Sequence, residues 1–395
     1  MRVLLVFSDL RWVLGQFAEA LCQHNPDIEF LYANRQMPVQ EPEQFQELVH
    51  QSDVIHWIAN VGHADHELAT WSLHERPSVA SVYHIAPGDD HKVQQARGAN
   101  RIHVMSAEWK TDLETRFGIP GTQIVHIPLG VDTRFFKFHQ AHQKGRHFRV
   151  GYFAAPDNTW RKGVDVFLTA LQLFAKLCPE LEVVLTGPGW EKYLAKTENL
   201  TSTHKGLVSK HTLRHLYQTL DAYVISARCE GGPVTLLEAL SSGVPVISTP
   251  VGYSMDMLQN EVNGLLVEKD QPAQIVEQLV RLRQSWELRQ RIAMTGRQTA
   301  ENYAWPLIAP RYSDLYHDLL NQSKQHAVPH KSGVRFRNRT MSPAAQRRII
   351  RIEEDLRWSR LLIHASGAFQ GYVHLLKNIP VQYIGSFPGP FRGRL

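Results

Sequence analysis

Twice along this chain of 395 residues, short apolar runs alternate with amphipathic stretches, and between the two series the pattern stops. In the first series VLLVF (3–7), IEFLYA (28–33), DVIHWI (53–58), SVASVYHI (78–85) and RIHVMS (101–106) have the length and composition of strands. LGQFAEALCQ and AEWKTDLETRF, lying between them, carry helical periodicity. Strands that alternate with helices pair in parallel through crossovers, so a parallel sheet with covering helices is predicted. KFHQAHQKGRH (137–147) is polar and aperiodic and reads as a linker. The second series has FRVGYFA (148–154) as a strand, VDVFLTALQLFAKL (164–177) as an amphipathic helix and LEVVLTGPG (181–189) as a strand. DAYVISA (221–227), a helix over 233–241 and VPVIST (244–249) repeat the unit, and AQIVEQLVRLRQS and residues 284–302 are further helices. The expected fold class is α/β, with two Rossmann-like domains, residues 1–136 and 148–303, facing across a cleft. A terminal helix over 304–322 is expected to cross back to the first domain, and residues 323–395 form a basic C-terminal helical extension.

Charge separates that extension from the body. It holds 13 Lys and Arg against three acids, a net +10 within a chain whose total is +5, so the residues before it carry −5. Attraction to anionic partners therefore belongs to the tail. SPAAQRRIIRIEEDLRWSRLLIHA (342–365) starts like a helix, with Ser342 as N-cap and Pro343 at its first position. Ile349, Ile352, Leu356 and Ile363 fall on one face, the arginines elsewhere, and Trp358 suits a headgroup layer. Residues 331–395 are thus a candidate for an anionic membrane surface, the alternative being docking on the protein's own body or on a second subunit. Three scattered cysteines imply no disulfide framework, which points to a reducing cytosol. No apolar run approaches a membrane span, and MRVLLVFSDLRW reads as a first buried strand rather than a signal peptide.

The stretch CEGGPVTLLEALSSGVPVIST (229–249) concentrates the chemistry. The strand DAYVISA leads into a turn over 228–232, Pro233 is expected at the first helical position, and Gly243 closes the helix. Ligands of open α/β sheets bind outside the carboxyl ends of strands. The amides of Gly232, Val234 and Thr235 would present the positive end of the helix to a diphosphate or a sugar hydroxyl. Gly231 and Gly232 would let a ligand approach the backbone. Glu230 then sits at the cleft and Glu238 on the helix, where carboxylates accept bonds from sugar hydroxyls or a ribose diol. Taken singly, each glutamate has a plain alternative, Glu230 as a complement to the helix dipole and Glu238 as a solvated surface residue.

Glu230 and Glu238 with seven residues between them, together with GGP, EAL, GVPVI and NGLLV (263–267), resemble the donor-binding signature of retaining glycosyltransferases of family 4, which have the GT-B fold. The resemblance spans roughly residues 1–320 and is strongest from 148 to 270. It implies that Lys162, in WRKGVDVFL, contacts the donor diphosphate. The family's arginine ahead of that lysine is absent, and Arg161 is expected to substitute. TGPG (186–189) and KGLVS (205–209) resemble the loops that hold the nucleotide base, giving Gly187, Gly206 and Leu207. IPLGVDTRFF (127–136) resembles the interdomain segment, with Leu129 where asparagine is common. VGYSMD (251–256) has Tyr253 and Asp256 where the family often has glycine and glutamate. The first loop, SDLRWVLGQF, offers only Gly15 of the usual glycine pair, with Arg11 and Trp12 in the loop. His84, in VYHIAPGDD, matches the histidine that faces the donor sugar; its alternative is a strand-end histidine satisfied by the backbone.

The implied activity is transfer of a hexosyl unit from a UDP- or GDP-sugar to an acceptor hydroxyl, on a glycan or lipid-linked glycan, with retained anomeric configuration. The resemblance implies no cofactor and no metal. GHADHE (62–67) brings His63, Asp65 and His66 close in sequence but is a poor ligand set, and Asp89-Asp90 lacks the spacing of a metal-binding aspartate pair. No dinucleotide fingerprint follows the first strand, no phosphate-loop lysine motif is present, and no nucleic acid is expected as partner. The alternatives are a GT-B-like epimerase or phosphorylase, or a non-catalytic subunit that binds sugar nucleotides.

Overall fold

The computed structural model describes residues 1–8, 13–59, 67–139, 147–156, 159–197 and 201–325. Arg11, Trp12, the His63–Asp65–His66 group, most of the linker and the basic extension beyond 325 lie outside the described residues. In the first lobe the strands are β1 (Arg2–Phe7), β2 (Glu29–Asn34), β3 (Val54–Trp57), β4 (Ser78–Ser81), β5 (Arg101–Val104) and β6 (Ile124–His126). They pair in parallel in the order β2-β1-β3-β4-β5-β6. Between them run α1 (Val13–His24), α2 (Met37–Gln40), α3 (Pro42–Gln51), α4 (Glu67–Glu75), α5 (Asp90–Ala96) and α6 (Ala107–Thr115).

The second lobe repeats the plan with β7 (Phe148–Phe153), β8 (Leu181–Thr186), β9 (Thr201–Lys205), β10 (Ala222–Ile225), β11 (Val246–Ser248) and β12 (Leu265–Leu266). These are parallel too, in the order β12-β11-β10-β7-β8-β9. The helices are α7 (Thr159–Lys162), α8 (Val164–Ala175), α9 (Lys210–Tyr217), α10 (Val234–Ser242), α11 (Ser254–Met257), α12 (Pro272–Gln284), α13 (Trp286–Glu301) and α14 (Trp305–Gln325). Covered on both faces, the central strands are buried throughout, as VLLVF in β1 and AYVI in β10 show.

Three strands are not anticipated from sequence. TSTHK in β9 is an edge strand with little burial, and β6 and β12 are two or three residues long. The run SVASVYHI leaves β4 after Ser81, and the main-chain carbonyl of Tyr83 then lies against Gly231 of the second lobe. Gly15, expected in a loop, is a buried residue in the first turn of α1. Pro233, expected at the first helical position, is instead the N-cap of α10, because its ψ of 102° is extended and the helix begins at Val234.

All described residues belong to one compact unit. The chain passes between the sheets twice, and the two crossings lie side by side: the Val131 amide donates to Tyr303 O (2.9 Å), and the Trp305 amide to Val131 O (3.1 Å). Gly130 is needed here, since the Trp305 ring fills the space any side chain would occupy. From this crossing α14 lies on the first lobe, with Phe17 of α1 against Trp305 and Tyr312. Beneath it runs a buried polar chain: Tyr316 to His56 Nδ1 (2.7 Å), His56 Nε2 to Ser81 (2.9 Å), Ser81 to His103 Nδ1 (2.8 Å), and His103 Nε2 to Ile127 O (2.8 Å). The carbonyl at its end can only accept, so His103 donates from Nε2, Ser81 donates to His103, His56 donates from Nε2, and Tyr316 donates to His56. Neutral rings, each with one donor and one acceptor nitrogen, give this direction. Burial pushes both pKa values down, His103 to about 4.

Candidate active site

β10 sits in the middle of the second sheet between β7 and β11, and the turn over 226–233 leaves its carboxyl end for α10. Gly243, left-handed at φ 79°, ends that helix. Beside the turn lies α7, whose four residues are too few to hold a helix alone. Its carbonyls are tied to the turn instead. The amides of Arg228 and Cys229 donate to Arg161 O (2.8 and 3.3 Å), and Arg228 Nη1 donates to Trp160 O (2.8 Å). Tyr152 OH donates to Lys162 O, and Ser226 Oγ to Gly163 O (2.8 Å). The Arg228 fork also grips Asp165 (2.8 and 2.7 Å) and reaches Asp270 (2.6 Å). Sequence reasoning passed over Arg228 entirely.

This scaffold brings Arg161, Lys162 and Glu230 together. Arg161 Nη1 is 2.8 Å from Glu230 Oε2, Lys162 Nζ contacts Oε1, and the glutamate is only 7% exposed. Burial by itself would raise the Glu230 carboxyl, but the charges of Lys162 and Arg161 outweigh it and hold the group below the ordinary carboxylate range. The plain reading of Glu230 as a mere dipole complement therefore fails: it is the centre of a buried charge cluster. His84, half-buried, lies within electrostatic reach of the cluster. Burial, and then Arg161, push its pKa down to about 4, so the ring is neutral near pH 7.

Glu238 is 4% exposed, which corrects the alternative of a solvated surface residue. Its Oε2 accepts from the hydroxyl of Tyr217 (3.0 Å), another residue without a sequence signal. Burial raises its pKa to about 7, against smaller opposing effects of Tyr217 and Lys210. Tyr223 and Tyr253, both buried, are within electrostatic reach of both glutamates.

The close approach permitted by the glycine pair is, here, by the protein itself. Gly231 packs on the main-chain carbonyl of Tyr83, and Gly232 on the ring of Tyr253 and the sulfur of Met105, so neither site has room for a Cβ. Pro233 is buried, while Val234 and Thr235 are half-buried. No side chain caps the first turn of α10, so its leading amides have no partner within the helix. Gly187, at φ 111°, lies against the backbone of Ala154 and donates its amide to Gly206 O (3.2 Å). Gly206 borders open space and Leu207 is exposed, so this pair forms an outer rim rather than part of the charge cluster. Gly15 is buried inside α1 of the first lobe.

Among the described residues, no group of three or more His, Cys, Asp or Glu is placed to hold a metal ion, and no helix is long and apolar enough to cross a membrane.

A buried cationic pair on a carboxylate, beside the uncapped start of a helix at the carboxyl edge of a parallel sheet, suits an anionic ligand. Residues 153–299 match the model of the family described as glycosyl transferases group 1. An uncharacterized glycosyltransferase of Methanocaldococcus jannaschii is 25% identical over 232 residues, covering 55% of this chain and 59% of that one. The GtfA subunit of the UDP-N-acetylglucosamine–peptide N-acetylglucosaminyltransferase of Streptococcus parasanguinis is 29% identical over 210 residues, 50% of this chain and 40% of that one. The chain thus spans about half the length of these curated relatives. The crystal structure of Anabaena HepE in complex with UDP and glucose superposes with a TM-score of 0.67 at 16% identity, covering 80% of this chain and 99% of that one. The two-lobed fold is GT-B.

Proposed function

We propose that the chain transfers a hexosyl unit from a nucleoside diphosphate sugar to an acceptor hydroxyl, with retained configuration and without a metal ion, as glycosyltransferases of family 4 do. The observation that carries this reading is the Arg161–Lys162–Glu230 cluster. Two cations lie against one carboxylate in a buried place. A diphosphate can take over these cations, and the amides of Val234 and Thr235 add donors to it. Lys162 and Arg161 stabilise the leaving diphosphate as the bond from its oxygen to the anomeric carbon breaks. The acceptor oxygen bonds to that carbon on the same face, and its proton passes to the departing phosphate oxygen. In this reading neutral His84 hydrogen-bonds the sugar, Glu230 accepts from its hydroxyls as the diphosphate takes over the cations, and Glu238 accepts a ribose diol. Gly187, Gly206 and Leu207 form the rim nearest the base.

UDP-sugars are the first donors to test, because HepE was crystallised with UDP and glucose and GtfA is named for UDP-N-acetylglucosamine. The acceptor is proposed to be a glycan or lipid-linked glycan, presented where the basic extension, residues 331–395, meets anionic lipid. Release of UDP that depends on acceptor, continues in excess chelator and yields a product of the donor's anomeric configuration by NMR supports the reading. UDP release indifferent to every acceptor, or lost in chelator and restored by a divalent ion, refutes it.

A further inference from the structure

The start of α6 makes contacts that the transfer chemistry above does not use. Three consecutive residues each reach a different group of the second lobe. The Ala107 amide donates to Asp256 Oδ2 (3.0 Å), Glu108 Oε2 accepts from the Gly252 amide (2.7 Å), and Trp109 Nε1 donates to Glu230 O (2.8 Å). Ser106 caps the helix by accepting the Trp109 amide (3.4 Å), so the amide at Ala107 is one the helix cannot satisfy internally. Asp256 meets that amide at the positive end of the helix, and its Oδ2 also lies 3.4 Å from His126.

The two loops gripped in this way are joined to each other. The Tyr253 amide donates to Gly231 O (3.2 Å), and Gly252, left-handed at φ 51°, lies against the same carbonyl with no space for a side chain. Trp109 is 6% exposed, so its indole N–H has no water to turn to while Glu230 O is in place. We propose that residues 107–109 form an interlobe clasp, with Trp109 as a positioning residue that fixes the backbone of Glu230 only when the lobes are closed.

Every bond of the clasp joins groups that water can satisfy once the lobes part, so opening leaves no buried polar atom stranded. That makes the clasp reversible. It also makes the position of Glu230 depend on a residue 121 positions away in the other lobe. The assignment of a rate effect rests on the proposed transfer activity, whereas the mechanical part does not.

Two measurements on the full chain separate these. Hydrogen exchange needs no substrate: Trp109→Phe keeps the ring and removes the donor, and should speed exchange of peptides covering 106–112 and 228–257 by about tenfold, with β1 and β3 unchanged. Glu108→Ala, which leaves Trp109 in place, should give the same pattern, and it carries the test if the tryptophan variant does not fold. In the second measurement, Trp109→Phe should leave the Kd for UDP within about twofold while transfer at saturating donor falls about tenfold. Unchanged exchange in both variants, or UDP affinity and transfer falling together in step with Tm, overturns the clasp. If wild-type protein binds no UDP while the exchange pattern appears as expected, the clasp stands and the proposed activity falls.

Discussion

Both lobes bury polar side chains among parallel strands, but in opposite ways. Under α14 in the first lobe the buried groups are neutral. His56, Ser81, His103 and Tyr316 each donate once along a directed chain that ends on a carbonyl. No charge is desolvated there, every imidazole nitrogen has a partner, and nothing is left over for a ligand. At the second-lobe site the central group, Glu230, is charged, and it is tolerated only because Arg161 and Lys162 lie against it. The contrast teaches where to look for function: a saturated neutral network fastens structure, and a charged cluster can exchange its carboxylate for an anionic ligand.

The largest expected effects test that division directly. Glu230→Gln keeps the shape of the site and removes its negative charge, leaving two cations to a diphosphate. UDP should bind as tightly as before or tighter, while transfer falls about a hundredfold, since a buried hydrogen bond to a charged group is worth roughly 1.5–3 kcal/mol. His56→Leu should do the reverse. It orphans Ser81 and Tyr316 and should cost about 3 kcal/mol of stability by denaturant titration, with UDP affinity of the folded protein unchanged. Loss of UDP affinity in folded His56→Leu would break the division between the lobes.

Stability against pH gives the next effect, and His103 and Glu238 have opposite signs. His103, with an ordinary value of 6.5 and a folded value of about 4, resists protonation in the folded state. Its stabilisation is complete above pH 6.5 and is lost as pH falls from there toward 4, by up to about 3 kcal/mol. His56 shifts in the same direction. Glu238, with an ordinary value of 4.5 and a folded value of about 7, resists ionisation instead. Its contribution is complete below pH 4.5 and is lost as pH rises toward 7, again by about 3 kcal/mol at most. Over the shared window the carboxyl partly hides the histidines. Thermal melts of Glu238→Gln should therefore rise more steeply from pH 4.5 to 6.5 than those of wild type, and melts of His103→Gln less steeply. Parallel profiles for all three proteins would mean that neither group is held as its burial implies.

How legible these regions are in sequence follows from the distance over which their parts act. The strand, turn and helix over 222–242 are contiguous, and an apolar run followed by Gly-Gly-Pro and a helical stretch announces them. Glu230 and Glu238 are found for the same reason. Arg228 lies in the same turn and is missed, because its meaning resides in Asp165 and Asp270, 63 and 42 residues away. His56 and His103 are missed because each sits singly in an otherwise apolar strand, and their links to each other exist only once β3, β4 and β5 are adjacent. The edge strand β9 is invisible because it has one poorly buried face after the other and needs no apolar alternation. Arg228→Lys tests the missed residue: a single ammonium cannot reproduce the fork to Asp165 while holding Asp270 and Trp160 O. UDP affinity should drop about fivefold by calorimetry. An unchanged affinity would show that α7 holds Arg161 and Lys162 without it.

The smallest effect is expected at Tyr253, where the two styles of burial meet. Its ring is fully buried against Gly232, yet its hydroxyl has no hydrogen-bond partner among the described residues. A buried hydroxyl without a partner is a cost to the free protein, unlike any group in the first-lobe chain. Tyr253→Phe should remove that cost and raise the Tm of ligand-free protein by about 1–2 °C. If the hydroxyl finds its partner in a bound nucleotide sugar, the same change should lower donor affinity two- to threefold, so the Tm gained on adding UDP-sugar shrinks even as the starting Tm rises. Differential scanning fluorimetry with and without donor reads both. A lower Tm without ligand would mean that the hydroxyl is already satisfied in the free protein, and the second lobe would then hold its tyrosine as the first holds its histidines.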